Sequence, residues 1–161
     1  MALFACWGAF PGSAVPAEVV FSPEGGVRQH LVRAIRQSQQ RIDVAVYQFT
    51  SFELAEALLA AKERGVRIRL LTDRETLESG GPALRKLRPA GIVIRSLGVP
   101  EQSLMHNKFA IFDDRLVATG SYNWTQSAER ANYENLVLLD DLEVVARYKR
   151  EFQRLWREAK E

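Results

Sequence analysis

Two side chains that suit chemistry on an anion, those of His106 and Lys108, lie two positions apart in the sequence. The residues that follow them are apolar and include Phe109 and Ile111. Alternate residues of a strand project from the same face, so this run predicts a strand that presents the imidazole and the ammonium together. A neutral imidazole nitrogen attacks phosphorus or carries a proton, and a lysine binds a phosphate oxygen as a point charge. The pair predicts a phosphate site, although two polar residues on a surface strand have the same pattern.

Further polar residues follow this pair in a definite order. Asp113 stands five positions after Lys108, Ser121 and Asn123 lie in the stretch Gly-Ser-Tyr-Asn-Trp, and Glu134 begins a later apolar segment. The order is H-x-K-x4-D, then G-S-x-N, then E-N. Single elements also have structural interpretations: a turn at Asp113, a strand end at Ser121 and a helix cap at Asn123. The specific signal is the whole set with its spacing.

In this order and spacing the set resembles the phospholipase D superfamily. It looks most like the small bacterial endonucleases that carry one such motif per chain. The resemblance extends over nearly all of residues 18–160, including segments 21–25 and 46–50. It implies a phospholipase D-like fold and an enzyme that hydrolyses phosphodiester bonds.

The resemblance also implies a role for each matched residue. His106 corresponds to the nucleophile, which forms a covalent phosphohistidine intermediate, and Lys108, Ser121 and Asn123 correspond to side chains at the phosphate. Glu134 corresponds to the carboxylate that hydrogen-bonds the far nitrogen of the histidine. Such a carboxylate fixes the tautomer of an attacking imidazole, and the donors meet the charge that builds on the equatorial oxygens.

A single histidine leaves the predicted reaction incomplete. Displacement at phosphorus needs a nucleophile on one side and a proton donor for the leaving oxygen on the other. The only other histidine, His30, lies beside the apolar positions of a predicted helix, where a structural role is expected. Larger members of the family carry two H-x-K motifs in one polypeptide. We therefore expect a homodimer whose two-fold axis places His106 of each subunit on opposite sides of the phosphate, one neutral and one protonated.

Metal catalysis is the competing chemistry. One cysteine, Cys6, excludes a zinc site of four cysteines. The pairs Asp113-Asp114 and Asp140-Asp141 could hold Mg²⁺, but neither stands in a recognised metal motif. The resemblance groups Asp113 with the catalytic residues, in a structural or orienting role. We expect no metal and no other cofactor, and activity in EDTA.

The substrate is predicted less sharply than the reaction. The net charge is +2, and residues 26–115 hold 15 Lys/Arg against 10 Asp/Glu, as an anionic substrate favours. The single-motif relatives imply DNA or RNA, cut with little sequence preference, and four basic residues could line a groove for the backbone: Arg85, Lys86, Arg88 and Arg95. Phospholipid headgroups or cardiolipin are the alternative substrate. A non-catalytic nucleic-acid-binding module is a further alternative.

Apolar periodicity predicts the elements that must position these residues. Strands are expected at 18–21, 41–49, 66–72, 92–96, 105–112, 116–121 and 134–139, and helices at 27–39, after Ser51, at 83–87 and at 142–159. The strand–helix–strand–helix–strand opening predicts parallel pairing with right-handed crossovers. The fold class is α/β: a single-domain sandwich with a central mixed β-sheet flanked by helices.

The N-terminal residues 1–17 differ from the rest of the chain. They carry no charged side chain, are mostly apolar at first, and end in small residues around Ala17. This pattern is typical of the end of a signal peptide, although a segment packed on the domain is the alternative. We expect a periplasmic or secreted protein, or one associated with a membrane through this segment, with the catalytic domain at 18–161.

Overall fold

Short apolar segments pair into one mixed sheet of eight strands in the computed structural model, and helices flank both of its faces. The structure describes residues 17–99 and 102–161, so the predictions for residues 1–16, including the signal peptide and Cys6, lie outside the described residues. The strands are β1 (Ala17–Ser22), β2 (Arg41–Val46), β3 (Arg67–Asp73), β4 (Val93–Val99), β5 (Ser103–Leu104), β6 (Lys108–Phe112), β7 (Leu116–Gly120) and β8 (Glu134–Leu139). The helices are α1 (Val27–Gln37), α2 (Phe52–Glu63), α3 (Arg74–Glu78), α4 (Pro82–Leu87), α5 (Gln126–Arg130) and α6 (Leu142–Glu158).

The strands follow the order β1-β8-β7-β6-β2-β3-β4-β5. Strands β2, β3 and β4 pair in parallel, whereas β6, β7, β8 and β1 form an antiparallel series. The predicted α/β sandwich with a mixed sheet is confirmed. The prediction that the first three strands are parallel neighbours is wrong for β1, which pairs with β8. Strand β6 takes the position beside β2, and β7 and β8 separate β6 from β1.

Strand β6 separates two apolar cores. Ala110 and Phe112 contribute to the core under α1, α2 and α4, whereas Phe109 and Ile111 contribute to the core under α6. Helix α6 buries Val145, Phe152 and Leu155. Full burial of a large apolar side chain stabilises a fold by about 1.5–3 kcal/mol. Packing on both faces therefore holds β6 in place, and with it Lys108 at its first position.

Some element boundaries differ from the prediction, for local reasons. Strand β6 begins at Lys108, so His106 precedes the strand. The segment expected as a loop from residue 97 continues β4 to Val99, which pairs with β5. The short helices α3 and α5 escaped prediction because they lack apolar periodicity, and their N-termini are capped by Asp73 and Thr125.

The turn between β6 and β7 follows the prediction. Asp113 and Asp114 both have positive φ, 52° and 55°, and aspartate tolerates this region better than most residues. None of the helices in the described part of the chain has both the length and the apolar composition needed to cross a bilayer.

Candidate active site

His106 and Lys108 meet at the start of β6. The Nζ atom of Lys108 lies 3.2 Å from Nδ1 and 3.4 Å from Nε2 of His106, and it donates a hydrogen bond to the carbonyl oxygen of His106 at 2.8 Å. His106 is exposed and Lys108 is half-buried. An imidazole and an ammonium are thus presented together at an accessible surface, as phosphate chemistry requires.

Tyr47 supports this pair from the neighbouring strand. Strand β2 pairs with β6, which sets Val46 opposite Lys108, and the N–H of Tyr47 donates to the carbonyl oxygen of Asn107 at 2.9 Å. The ring of Tyr47 lies 4.7 Å from the ring of His106, and the Nζ atom of Lys108 lies 5.4 Å from the Tyr47 centroid. The contacts place an aromatic wall beside both side chains. The signal for it in the sequence was an aromatic residue with a polar tip at the end of an apolar strand.

Asp73 anchors the segment that leads into His106. Its side chain is only 2% exposed. One oxygen accepts from the N–H of Glu75 at 3.0 Å, which caps α3, and the other accepts from the N–H of Met105 at 2.9 Å. Because Met105 is buried and precedes His106 directly, the carboxylate of Asp73 fixes the backbone from which the imidazole projects. Sequence reasoning did not find this residue, since it lies in another strand 32 positions away.

Ser121 and Glu134 meet where β7 ends and β8 begins. The hydroxyl of Ser121 donates to one oxygen of Glu134 and accepts from the N–H of Asn135 at 3.1 Å, and the other oxygen of Glu134 accepts from Asn132 at 3.0 Å. Gly120 permits this approach, because a Cβ atom there would lie 2.2 Å from the carbonyl oxygen of Asn135. Within residues 17–99 and 102–161, no hydrogen bond joins Glu134 to His106. The bond implied by the resemblance is therefore not made inside one chain.

The negative charge of Glu134 nevertheless affects the pKa of Lys108. Burial lowers the pKa of Lys108 below its ordinary value of 10.5, and the negative charge of Glu134 opposes that shift. An ammonium with a lowered pKa gives up its proton at a lower pH than an exposed lysine does. The negative charge of Glu134 therefore helps to keep the cationic form of Lys108, which burial disfavours.

Asn123 is bonded to the residue that follows Tyr47. Its Oδ1 atom accepts from the N–H of Gln48 at 3.2 Å, and the N–H of Trp124 donates to the carbonyl oxygen of Gln48 at 3.1 Å. These bonds tie the G-S-x-N segment to the end of β2. The Nδ2 group of Asn123 donates to no other group in the described ranges, so it remains available as a donor to a ligand.

Asp113 does not join this group. It follows the last residue of β6, and at about 3.3 Å per residue the strand separates it from Lys108 by about 17 Å. Its carboxylate accepts from the N–H groups of Gln39, Gln40 and Arg41 at 2.8–2.9 Å. Burial alone would raise the pKa of Asp113, but these donors outweigh it and hold the pKa below the ordinary value. The contacts are those of a residue that fixes the α1–β2 connection, and they place Asp113 away from the histidine.

The predicted basic groove is not formed. Lys86 pairs with Glu56, and Arg85 donates to the carbonyl oxygen of Gly80. Arg95 stacks on Trp156 of α6, on the other face of the sheet. Alternation along β4 causes this, because Ile94 faces the α2 side and Arg95 therefore faces α6.

Metal ligands do not cluster in the part of the chain that the structure describes. There, no three His, Cys, Asp or Glu side chains are grouped as a metal ion would require. In particular, Asp113 and Asp114 point their carboxylates at backbone N–H groups, Arg41 and Lys149.

Comparison with known proteins gives consistent matches. Residues 31–156 match a family model described as cardiolipin synthase, PLD-like domain. The chain is 38% identical over 130 residues to a mitochondrial cardiolipin hydrolase of Xenopus tropicalis, covering 80% of this chain and 60% of that one. It is 31% identical over 159 residues to a mitochondrial cardiolipin hydrolase of Chlamydomonas reinhardtii, covering 91% of this chain and 70% of that one. The chain thus spans less than two thirds of the length of the first relative.

Solved structures share the fold. A phospholipase D family member, Nuc from Salmonella typhimurium, superposes with a TM-score of 0.81 at 29% identity, covering 91% of this chain and 97% of that one. NucT from Helicobacter pylori superposes with a TM-score of 0.82 over 91% of this chain and 98% of that one. Because its sequence identity is only 23%, the match to NucT supports the fold alone.

Proposed function

This chain belongs to the phospholipase D superfamily, as a phosphodiesterase-type member, and we propose that His106 is its nucleophile and Lys108 its principal phosphate ligand. The observation that carries the proposal is the 3.2 Å separation between Lys108 Nζ and His106 Nδ1 at an accessible surface. An ammonium at that position holds a non-bridging oxygen while the imidazole attacks phosphorus. Nucleophilic attack forms an N–P bond and breaks the bond to the leaving oxygen, which takes a proton.

The other matched residues have complementary roles in this proposal. Asn123 offers a free amide donor to the phosphate, and Lys108 with Asn123 meets the charge that develops on the equatorial oxygens. Ser121 orders Glu134 through their hydrogen bond, and the resemblance assigns it to the phosphate as well. Water then hydrolyses the phosphohistidine, so the cycle needs no metal ion and no organic cofactor.

The decisive experiment is a reaction in EDTA that is quenched with denaturant at alkaline pH, because the P–N bond of a phosphohistidine is labile in acid. Labelled phosphate should be found covalently attached to His106, and the label should disappear when unlabelled substrate is added before the quench. Activity without any labelled protein would overturn the assignment of His106 as nucleophile. Activity that EDTA abolishes and that only a divalent metal restores would overturn the metal-independent mechanism.

We propose that the active form is a homodimer. One chain supplies a single histidine at the site, and the ring of His106 contacts no carboxylate among the described residues. A second copy would supply both a proton donor and such a carboxylate. Apolar side chains beside the site support a partner surface: Tyr133, next to Glu134, is 92% exposed, and Phe21, opposite Asn135 in register, is 60% exposed.

Subunit mixing tests the dimer. Wild-type protein is allowed to exchange subunits with a His106→Ala variant, and activity is measured against the wild-type fraction. If both histidines serve one phosphate, mixed dimers are impaired and activity falls roughly as the square of that fraction. A linear fall, or full activity in a strictly monomeric protein, contradicts the proposal.

For the substrate we propose nucleic acid, DNA or RNA, cut without sequence preference. The support is the excess of basic residues in the part of the chain that carries the site and the resemblance to single-motif bacterial endonucleases. Phospholipid, in particular cardiolipin, is the second candidate. It is favoured by the named relatives and by Val99 and Leu104, which are 43% and 53% exposed in the β4–β5 hairpin just before His106.

A side-by-side assay separates the two substrates. Plasmid, single-stranded oligonucleotides and cardiolipin vesicles are offered to the same preparation, with His106→Ala as the blank. Cleavage of vesicle lipid alone would overturn the nuclease proposal and leave the chemistry intact. Binding of nucleic acid with no turnover of any of the three substrates would instead indicate a binding module.

Export to the periplasm or medium is also proposed, and localisation of the full chain fused to a reporter tests it.

A further inference from the structure

A second group of cations lines a hollow at the end of the sheet opposite to His106. The hollow has a volume of about 350 Å³ and is lined mainly by Arg41, Lys62, Arg67, Arg69, Val93 and Gln153. Four of these are cationic, and no acidic side chain is among its lining residues. Residues Arg41 and Arg67 are paired at the first positions of β2 and β3, whereas Val46 at the last position of β2 is paired with Lys108. At about 3.3 Å per residue, the hollow lies about 17 Å from the start of β6.

Arg69 and Arg41 are held in place by contacts within the protein. Arg69 donates two hydrogen bonds to Asp43, both at 2.8 Å, and its guanidinium lies 4.8 Å from the Phe152 centroid and 5.2 Å from the Trp156 centroid. Arg41 contacts the same carboxylate at 3.3 Å, and Asp43 is only 1% exposed. One buried carboxylate thus holds two guanidinium groups. Because carboxylates already engage these donor edges, the two arginines supply fixed positive charge beside the hollow, at no further loss of side-chain entropy.

The charges at the hollow are unbalanced. Arg67 and Lys62 form no ion pair within residues 17–99 and 102–161, although both line the same hollow as the paired arginines. Asp43 is shared, and Asp114, which pairs with Arg41, also pairs with Lys149. Cations that lie close together without partners repel one another. A bound anion removes the repulsion.

We infer that this hollow is an anion site that binds a phosphate group without chemistry. The guanidinium of Arg67, which has no ion pair among the described residues, matches phosphate oxygens with paired donors, and Lys62 adds a point charge. No histidine lies among its lining residues, so nothing there can attack phosphorus as His106 does. The inference rests on the proposed function for its purpose: the site holds a second phosphodiester of the polyanionic substrate while the first is cleaved elsewhere. The phosphate belongs to the backbone of the nucleic acid proposed as substrate, and capture of a lipid headgroup is the contrary outcome of the test.

Side-chain signals of arginine test the site directly. Inorganic phosphate is titrated into full-length protein labelled with ¹⁵N, and the Nε–H signal of Arg69 is followed. It should shift saturably in wild type and in His106→Ala. In the double variant Lys62→Gln/Arg67→Gln, binding should be weaker by roughly tenfold or more. The matched control is Arg33→Gln/Arg36→Gln, which removes two exposed cations of α1 outside the hollow and should leave the titration unchanged.

The outcomes are distinguishable. A signal that never shifts, or equal weakening in both double variants, overturns the site, because the first means no binding and the second means unspecific attraction. Wild type and the Lys62→Gln/Arg67→Gln variant are then titrated with a short oligonucleotide and with phosphatidylglycerol vesicles. The ligand that binds the variant more weakly than the wild type is the source of the phosphate. If neither is weakened, the role in substrate binding is overturned. Loss of activity in His106→Ala with intact phosphate binding separates this site from the catalytic one.

Discussion

The Nζ atom of Lys108 donates to the carbonyl oxygen of His106 at 2.8 Å and lies 3.2 Å from the Nδ1 atom of the same residue. The cation is thus held against the imidazole by the backbone that carries it, before a substrate arrives. The ring of Tyr47 limits both side chains from the side of β2. A site assembled in this way loses little entropy when a phosphate binds.

Replacement of His106 by alanine should abolish turnover. Loss of a covalent nucleophile typically lowers kcat by on the order of 10⁴-fold or more. The matched control is His30→Ala. His30 pairs with Glu18 at 2.8 Å and contacts the carbonyl oxygen of Gly26 at 3.0 Å, so that variant removes a structural contact and should retain kcat. Equal activity of the two variants in a plasmid-nicking or lipid-release assay contradicts the assignment.

The alkaline side of the pH–rate profile should report Lys108. Its charge is present below its pKa and lost as pH rises through it. Because burial lowers that pKa, the decline in kcat/KM should occur below the ordinary lysine value of 10.5. In Lys108→Arg the guanidinium stays charged throughout, so residual activity should show no such decline. A decline that persists unchanged in the arginine variant assigns it to another group.

The sequence predicted the proximity of His106 and Lys108 better than it predicted the residues that surround them. His106 and Lys108 lie two positions apart, so an extended backbone brings them to one side. Their side chains approach although His106 precedes the strand. Tyr47 and Asp73 could not be found in the same way. They reach the site only because β2 pairs with β6 and because Asp73 at the end of β3 bonds Met105. Such pairings join distant segments, so a local pattern such as the aromatic residue at the end of an apolar strand does not show which site it reaches.

The same limit explains the wrong predictions. Strand β1 was expected beside β2, since short connections usually join neighbours, but β6, β7 and β8 come from the other half of the chain and displace it. The prediction of a basic groove was wrong because Arg85 and Arg95 lie on opposite faces of the sheet. The face on which Arg95 lies depends on the register of β4. By contrast, the turn at Asp113 needed only local chemistry and was found.

Asp73 should act as a positioning residue. Asp73→Ala removes the acceptor for the N–H of Met105, which lets the backbone before His106 shift. A shift of about 1 Å in a catalytic group costs about 10²-fold in rate, so kcat should fall by about that factor while KM changes little. Asp141→Ala is the control, because it removes another aspartate that caps a helix, accepting from the N–H of Val144 in α6. If both variants lose stability to a similar degree and both keep kcat, Asp73 is merely structural.

Asp113 should contribute to stability and not to turnover. Its carboxylate accepts three backbone hydrogen bonds from residues 39–41, and hydrogen bonds to a charged group contribute about 1.5–3 kcal/mol. The substitution Asp113→Asn keeps a side chain that tolerates the positive φ of 52° but removes the negative charge. We expect a loss of about 1–2 kcal/mol in the free energy of unfolding at neutral pH, measured by urea denaturation. The kcat per folded molecule should be unchanged.

The pH dependence gives this prediction its sign. The pKa of Asp113 is lowered in the folded protein, so the stabilisation is fully present above the ordinary value of 3.8 and is lost as pH falls through the lowered value. The difference in unfolding free energy between wild type and Asp113→Asn should therefore be constant near neutrality and shrink toward zero in acid. A difference that stays constant into acid indicates that hydrogen-bond geometry, and not charge, stabilises the connection. A fall in kcat at neutral pH would instead indicate a catalytic role for Asp113. That outcome would contradict the expectation drawn from its distance along the strand from Lys108.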